Sequence, residues 1–266
     1  MSFQLKYILN VEKPVIAMAH FPPMPGSPLY DADAGIAGIL KWVKADVAAL
    51  EKGGVDAIMF CNEGDRPYYV GTRPESLAVM ASVISQAAEH LSVPFGVDIL
   101  WDPIGAIALA KATGARFVRE VFTGVYASDM GLWNTGCADA VRYRRHVGAD
   151  DVKLFFVINA EFAAPIGERP IGPLAKSVVF SSLADAVCVS GPMTGVSVDE
   201  ENLELAKRAI PGTPVIANTG VRQENVRRIL NVADGVIVGT ALKNDGYTWN
   251  PVDQARVAAF MKTARG

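Results

Sequence analysis

The stretch PVIANTGVRQENVRRILNVADGVIVGTALK, residues 214–243, contains two short apolar runs, and each stops at a turn that carries a glycine. The runs 214–218 and 235–239 have the length and β-branched content of buried strands, whereas 222–231 between them has helical spacing. The stretch therefore predicts strand, helix and strand in succession. A strand that is hydrophobic along its whole length belongs in a parallel sheet covered by helices.

The same unit recurs along the whole chain. Apolar runs precede it at 14–21, 55–62, 94–100, 116–122, 152–158 and 185–191. Segments with helical spacing follow the runs at 36–51, 75–91, 103–113, 136–147, 171–183, 199–209, 222–231 and 252–264. Eight strands that alternate with eight helices predict an α/β fold, a single (β/α)₈ TIM barrel over residues 1–266. A doubly wound sheet is disfavoured, because HFPPMPGSP (20–28) after the first strand has no GxGxxG pattern.

Composition restricts the partners. The 266 residues are 50% hydrophobic and 20% charged with a net charge of −3, and the basic residues form no stripe of the kind that nucleic-acid binding requires. The sequence has no apolar run of membrane-spanning length and no signal peptide, so we expect a cytoplasmic protein. Cys61, Cys137 and Cys188 are odd in number and lack CxxC spacing, which supports neither a disulfide framework nor a zinc site.

Polar residues follow the predicted strands at the end where TIM barrels carry their active sites. The catalytic candidates are His20, Glu63, Asp65, Asp98 and Arg119. Carboxylates that face one another across a small barrel mouth could raise one pKa towards neutrality for acid–base catalysis, or could hold a divalent metal. His20 could equally be a structural histidine bonded to a carbonyl, and Glu63 and Asp65 could simply cap a loop.

Further strand-end residues suit substrate binding. These are Asn62, Asn159, Glu161 and Thr194. Strand alternation allows only one of Arg119 and Glu120 to enter the barrel, and we predict that it is Arg119. Trp101 and Trp133 could stack on a sugar or base, or could cover the barrel rim.

The glycine turns of the opening stretch occupy the place where barrels bind phosphate. In barrels with phosphorylated ligands, the turns after strands seven and eight offer backbone N–H groups, and a short helix directs its positive end at the anion. The predicted phosphate-binding residues are Ser190, Gly191, Asn218, Thr219, Gly220, Gly239 and Thr240. The alternative is that the glycines only form tight strand-to-helix turns.

Several motifs resemble those of the BtpA/SgcQ family. They include AMAHFPPMPGSPLY (17–30), GGVDAIMFCNEGDRPY (53–68), ASDMGLWNTG (127–136), SGPMTG (190–195), ANTGVRQENV (217–226) and ADGVIVGTALKNDGYTWNPVD (233–253). The resemblance implies a ribulose-phosphate-binding type of barrel, with links in the family to photosystem I accumulation, sugar utilisation and a nucleosidase label. The chain departs from the family pattern at Asn218, where relatives tend to have a Gly-Ser-Gly turn, and at Glu161 and Phe162, where they tend to have a Lys-His pair.

Two classes of function remain open at this point. The first is an enzyme that acts on a phosphorylated sugar or nucleoside-like small molecule, as a lyase, an isomerase or a nucleosidase-type hydrolase. The second is a non-catalytic assembly factor, similar to a photosystem I biogenesis protein, that keeps the barrel. Converging charges in a partly desolvated mouth favour the enzyme. We expect a small phosphorylated substrate, no nucleic acid and no cofactor, with a divalent metal and a homo-oligomer both left open.

Overall fold

A closed parallel barrel forms the centre of the molecule. The computed structural model describes residues 3–266. The strands, numbered along the chain, are β1 (Val15–His20), β2 (Ala57–Cys61), β3 (Phe95–Asp98), β4 (Phe117–Glu120), β5 (Val125–Ser128), β6 (Gly131–Asn134), β7 (Lys153–Val157), β8 (Ala163–Pro165), β9 (Ala186–Val189), β10 (Val215–Ala217) and β11 (Gly235–Val238). Eight of them close in the order β1-β11-β10-β9-β7-β4-β3-β2, which confirms the predicted TIM barrel. Each barrel strand lies inside one of the eight predicted apolar runs.

Helices cover the outside of the barrel. They are α1 (Lys6–Leu9), α2 (Gly35–Lys52), α3 (Pro74–Ala87), α4 (Pro103–Thr113), α5 (Cys137–His146), α6 (Ile171–Ser182), α7 (Glu200–Ala209), α8 (Val226–Val232) and α9 (Gln254–Arg265). The helix predicted at 222–231 begins later, because Asn225 Oδ1 accepts the Arg222 N–H at 2.7 Å and closes a turn before α8.

The short helix α1 was not predicted, and it closes the lower end of the barrel. Leu5 and Leu9 are buried with Ile16, Phe117 and Phe155 in the interior cluster. Four residues are too few to show a helical period, so α1 could not be recognised in the sequence. At the other end of the chain, Arg265 Nη1 donates to the Lys13 carbonyl at 3.3 Å. Both ends of residues 3–266 therefore lie at the rim where the barrel strands begin.

Side-chain alternation divides the core into two layers. Phe155 points into the barrel and stacks on Phe117, with ring centroids 4.7 Å apart. Phe156 points outward and stacks on Phe122 beneath the helices, with centroids 4.3 Å apart. Gly96 makes room for the interior pair, because a Cβ at this position would lie 2.3 Å from the Phe117 ring. The barrel interior below the site is thus filled by aromatic and aliphatic side chains.

A small antiparallel sheet lies beside the barrel mouth and was also not predicted. Its strands have the order β6-β5-β8 and come from the segments that follow β4 and β7. Tyr126 and Trp133 are a cross-strand pair on its buried face. Leu132 and Ile166 are 70% and 62% exposed. Unlike the barrel strands, these three strands do not lie within continuous apolar runs, so the sequence did not mark them. Within residues 3–266, no helix has the length and apolarity that crossing a membrane requires.

Candidate active site at the carboxyl ends of the strands

One large cavity opens where the barrel strands end. Its volume is about 830 Å³, which lies within the range of small-molecule sites. The predicted residues that line it are His20, Glu63, Asp98, Arg119, Glu161, Thr194, Asn218, Thr219, Gly220, Gly239 and Thr240. The structure therefore brings together His20, Glu63, Asp98 and Arg119, whose convergence followed from the strand assignment.

Arg119 is the centre of a buried polar network on the floor of the cavity. It forms an ion pair with Asp98 of β3, and its Nη1 donates to Asn218 Oδ1 at 3.1 Å. Glu161 Oε1 lies 3.7 Å from the same nitrogen. Although burial opposes the charged form, the carboxylates of Asp98 and Glu161 raise the pKa of Arg119. The guanidinium is therefore a permanent cation that links β3, β4 and the loop after β10.

Glu63 and Glu161 are joined by one hydroxyl group. Thr194 Oγ1 lies 3.2 Å from Glu63 Oε1 and 3.2 Å from Glu161 Oε2. A hydroxyl has a single hydrogen, so it donates to one carboxyl group at a time or divides a bifurcated bond between the two. Thr194 therefore links Glu63 and Glu161 and holds the two carboxyl groups close to each other.

The pKa values of both carboxyl groups are raised. Burial raises the pKa of Glu161 to about 7, although the Arg119 cation acts in the opposite direction. Burial also raises the pKa of Glu63, again against the effect of Arg119. A carboxyl group that titrates near neutrality can serve as acid or base at physiological pH.

Glu120 is a cavity residue that the sequence did not reveal. Alternation within β4 predicted that it would point away from the site, yet it lines the cavity together with Arg119. It is the last residue of the strand, and its Oε2 turns back to accept the Val121 N–H at 2.5 Å. Burial, followed by the nearby Asp98 carboxylate, raises the pKa of Glu120 well above its ordinary value. A carboxyl at a strand end was the only sequence signal.

His20 forms part of the cavity wall next to the β11 loop. Its side chain is buried, and burial lowers its pKa well below the ordinary value, with Lys243 and Arg119 as further causes. The imidazole is therefore neutral. A Cβ at Gly239 would lie 3.2 Å from His20 Cε1, so the glycine lets the ring pack against the loop. His20 Nδ1 is buried and has no hydrogen-bond partner among residues 3–266.

Three predicted site residues support neighbouring loops instead of lining the cavity. Asp65 was predicted as catalytic, but its carboxylate accepts hydrogen bonds from Ser76 Oγ at 2.8 Å and from the Met24 N–H at 3.3 Å. Asn62 Oδ1 accepts the Leu100 N–H at 2.9 Å. Asn159, the third of them, uses both ends of its amide on the backbone of Ser190. These side chains hold the loops after β2, β3 and β9 in place, so the structure gives none of them a direct role.

The predicted phosphate site is smaller than the sequence indicated. The Ser190 N–H donates to Asn159 Oδ1, and the Gly191 N–H donates to Thr219 Oγ1. Asn218 donates its own N–H to the Val189 carbonyl, and its side chain belongs to the Arg119 network. The backbone N–H groups of Ser190, Gly191 and Asn218 are therefore already engaged and do not offer hydrogen bonds to an anion.

The two glycine turns themselves keep available donors. Within residues 3–266, the backbone N–H groups of Gly220, Gly239 and Thr240 donate no hydrogen bond. Gly220 has φ +61°, and a Cβ there would lie 2.2 Å from the Ser197 backbone, so only glycine fits. The helix expected after the eighth barrel strand is a three-residue 3₁₀ turn, Thr240–Leu242, which is too short for a substantial macrodipole. Any anion here must be held by individual donors.

Arg222 is a further cavity residue beside these turns. Its exposed side chain donates from Nη2 to the Gly195 carbonyl at 3.0 Å and lines the cavity next to Gly220. The sequence analysis placed Arg222 at the start of the predicted helix 222–231. Only its position two residues after Gly220 could have indicated that it supplies a positive charge to an anionic ligand.

The opposite end of the cavity is apolar. Its wall consists of Leu100, Trp101, Val121 and Phe162. Trp133 lies behind this wall and contacts Trp101, with ring centroids 6.0 Å apart. Of the two tryptophans singled out in the sequence, Trp101 lines the cavity and Trp133 supports it. The cavity therefore combines a donor-rich end, a carboxyl-rich floor and an apolar end.

The strand topology and the position of the cavity define the class of protein: a (β/α)₈ barrel with its candidate site at the carboxyl ends of the strands. Solved structures share this fold. Thiamine phosphate pyrophosphorylase from Pyrococcus furiosus superimposes with a TM-score of 0.59 at 15% identity over 96% of each chain. Tryptophan synthase from M. tuberculosis gives a TM-score of 0.59 at 15% identity over 98% of this chain and 97% of that chain. At these identities the similarity establishes the fold alone.

Sequence comparison identifies the family. The model of the BtpA family matches residues 11–266. SgcQ, a protein of the sgc region in Escherichia coli (strain K12), is 46% identical over 97% of this chain and 96% of its own length. The photosystem I biogenesis protein BtpA of Synechocystis sp. is 31% identical over 95% of this chain and 88% of its own length. The chain belongs to the BtpA family.

Proposed function

We propose that this protein is an enzyme that acts on a phosphorylated sugar or nucleoside-like small molecule. Glu63 and Glu161 provide the acid and the base, and the turns after β10 and β11 hold the phosphate. The observation that carries the proposal is the single hydroxyl of Thr194, 3.2 Å from both carboxyl groups. Two acids that one hydroxyl holds close together are arranged for proton transfer, whereas an isolated structural acid would not need the second.

The reaction class follows from what the pair can do. Lyases, isomerases and glycosidic hydrolases all need one group that removes a proton and one that delivers it. Glu161, with a pKa of about 7, is half deprotonated at neutral pH and serves as the base. Glu63, whose pKa burial also raises, is assigned as the acid. Arg119 lies 3.7 Å from Glu161 and is placed to stabilise negative charge that develops on the substrate.

Backbone N–H groups without hydrogen-bond partners support phosphate binding at the glycine turns. The N–H groups of Gly220, Gly239 and Thr240 are fixed by the backbone, so binding an anion requires no ordering of these donors. The hydroxyl of Thr240 and the cation of Arg222 lie at the same end of the cavity. A ligand phosphate at this place would set the rest of the molecule over the carboxyl pair.

A matched pair of variants tests the phosphate site. Gly239→Asp and Gly239→Ala both place a Cβ 3.2 Å from His20 Cε1, but only the aspartate adds negative charge. Ligand at a hundred times its Kd stabilises a fold by about 2.7 kcal/mol, equivalent to a rise in Tm of roughly 5–10 °C in a chain of this size. We expect inorganic phosphate or ribose 5-phosphate to raise the Tm of the native protein and of Gly239→Ala. Gly239→Asp should show no rise.

Equal rises in Tm for the native protein and for Gly239→Asp would place the anion elsewhere.

The chemistry is tested separately by incubating the protein with phosphorylated sugars and nucleotides and following products by NMR. Glu161→Gln should lower kcat about 10²- to 10⁴-fold, because it removes the base. Turnover that Glu161→Gln leaves unchanged would contradict the assigned role.

A non-catalytic assembly factor is the second candidate. Two observations favour it: the relative from Synechocystis is a photosystem I biogenesis protein, and the small sheet exposes Leu132 and Ile166 beside the barrel mouth. An exposed apolar pair of this kind suits contact with another protein. Absence of any shift in Tm with every phosphorylated compound, and of any turnover, would favour this function over the enzyme.

A further inference from the structure

Two aromatic residues at the apolar end of the cavity have unusual backbone conformations. Trp101 has φ +60° and Phe162 has φ +54°. Bulky residues rarely adopt the left-handed region, and such conformations persist mainly where surrounding structure enforces them, often at ligand sites. Both residues border the same cavity, so the strain occurs where a ligand would be contacted.

Contacts from separate loops fix these two residues. The Trp101 carbonyl accepts the Gly71 N–H at 3.2 Å, and the Phe162 N–H donates to the Pro192 carbonyl at 3.2 Å. The two rings have centroids 6.5 Å apart and planes at 74°. Tyr68 packs against the Trp101 ring at 5.0 Å. The wall is therefore rigid before any ligand arrives.

The aromatic wall and the glycine turns lie at opposite ends of the polar floor. Asn218, which follows β10, bonds to Arg119 of β4, and Arg119 pairs with Asp98 of β3. This chain of contacts crosses the barrel mouth from the side of Gly220 to the side of Trp101. Glu161, the proposed base, directly precedes Phe162 and lies along this path.

We propose that the apolar end is a subsite for a planar ring, so that the substrate is a sugar phosphate bearing an aromatic or heteroaromatic group. A ring stacked parallel to Phe162 would meet Trp101 nearly edge to face, and aromatic rings favour both arrangements. The ring and the phosphate then occupy the two ends, and the bond between ring and sugar lies near Glu161. This inference rests on the proposed function, because it takes the phosphate to be at the glycine turns.

Binding measurements with four probes test the subsite. Inorganic phosphate and ribose 5-phosphate occupy the phosphate end alone, adenosine carries the ring without the phosphate, and adenosine 5′-monophosphate carries both. Stacking of one base on an aromatic side chain predicts that the native protein binds the nucleotide about 5- to 150-fold more tightly than ribose 5-phosphate. Calorimetric titration gives the ratio directly.

Substitutions at Phe162 test the contribution of its aromatic ring to binding without disrupting the fold. Phe162→Asn removes the ring and introduces a residue that tolerates positive φ, so the fold should be preserved. It should reduce the advantage of the nucleotide to less than about 3-fold while leaving the affinity for ribose 5-phosphate unchanged. Phe162→Tyr keeps a ring and should retain the advantage.

The outcomes distinguish the subsite from the phosphate site. Equal affinity of the native protein for the nucleotide and for ribose 5-phosphate overturns the ring subsite and leaves the proposed function standing. Binding of adenosine that Phe162→Asn abolishes, without binding of inorganic phosphate, supports the ring subsite and contradicts the phosphate site. Loss of affinity for both phosphorylated compounds in Phe162→Asn, or no binding by any probe, also overturns the ring subsite.

Discussion

Glu161→Gln should change how the stability of the protein depends on pH. In the folded protein burial raises the pKa of Glu161 from 4.5 to about 7. Between these values the folded state binds more protons than the unfolded chain, so the free energy of unfolding falls as pH rises. A shift of this size corresponds to about 3 kcal/mol, present in full below pH 4.5 and lost by about pH 7.

The glutamine reproduces the contacts of the protonated acid. Its oxygen can accept the Asn218 amide where Glu161 Oε1 does so now, at 3.0 Å. Its nitrogen can donate to Thr194 Oγ1, which remains free to donate to Glu63. The variant should therefore equal the native protein near pH 4.5 and exceed it above pH 7 by about 3 kcal/mol, or roughly 6–12 °C in Tm.

Thermal melts from pH 4.5 to 8.5 measure this difference. Glu168→Gln is the matched control, since it makes the same change in charge at an exposed carboxyl, and it should leave the pH dependence unaltered. If the native protein and Glu161→Gln change in parallel over this range, Glu161 does not titrate near neutrality, and the argument for it as the base is refuted.

Two further predictions concern stability. Asp46→Asn should lower the free energy of unfolding by about 3–5 kcal/mol, because it leaves the buried Lys243 without its counter-ion, which now lies 2.7 Å away. Urea denaturation measures this loss, and a loss below about 1 kcal/mol would contradict the prediction. Phe155→Ala should cost about 3–5 kcal/mol through the cavity it opens inside the barrel. Phe180→Ala, at a side chain 88% exposed, should change the denaturation midpoint very little; equal losses in the two alanine variants would contradict the assignment of the core.

The barrel could be predicted because its signal is repeated. Each strand, such as 214–218, is a short and mostly apolar run that is followed by a turn and a helical period, and eight copies leave few alternatives. The antiparallel sheet lacked this repetition. Its strand Val125–Ser128 is stabilised by the distant segment Ala163–Pro165, and no local pattern encodes such a pairing.

The site could be predicted in position but only partly in detail. Strand ends converge in any barrel, so Glu63, Asp98 and Arg119 meet once the strands are known. Whether a polar side chain at a strand end faces the cavity depends on which residue it forms hydrogen bonds with. The Asn159 amide is fully used by Ser190, 31 positions away, and a sequence does not show this pairing. Glu120 lies in register with the outward-pointing Phe156, as alternation predicts, and it borders the cavity at the end of β4.

Two departures from the family pattern that stood out in the sequence, Asn218 and Glu161, prove to be partners. Asn218 Nδ2 donates to Glu161 Oε1 at 3.0 Å, while Asn218 Oδ1 accepts from Arg119. A glycine at 218 would leave Glu161 without this donor and Arg119 without this acceptor, inside a cavity where an unpaired polar group is costly. The two residues therefore form one functional unit. Under the proposed function, Asn218 positions the proposed base, and Asn218→Gly should therefore lower kcat through the loss of this contact.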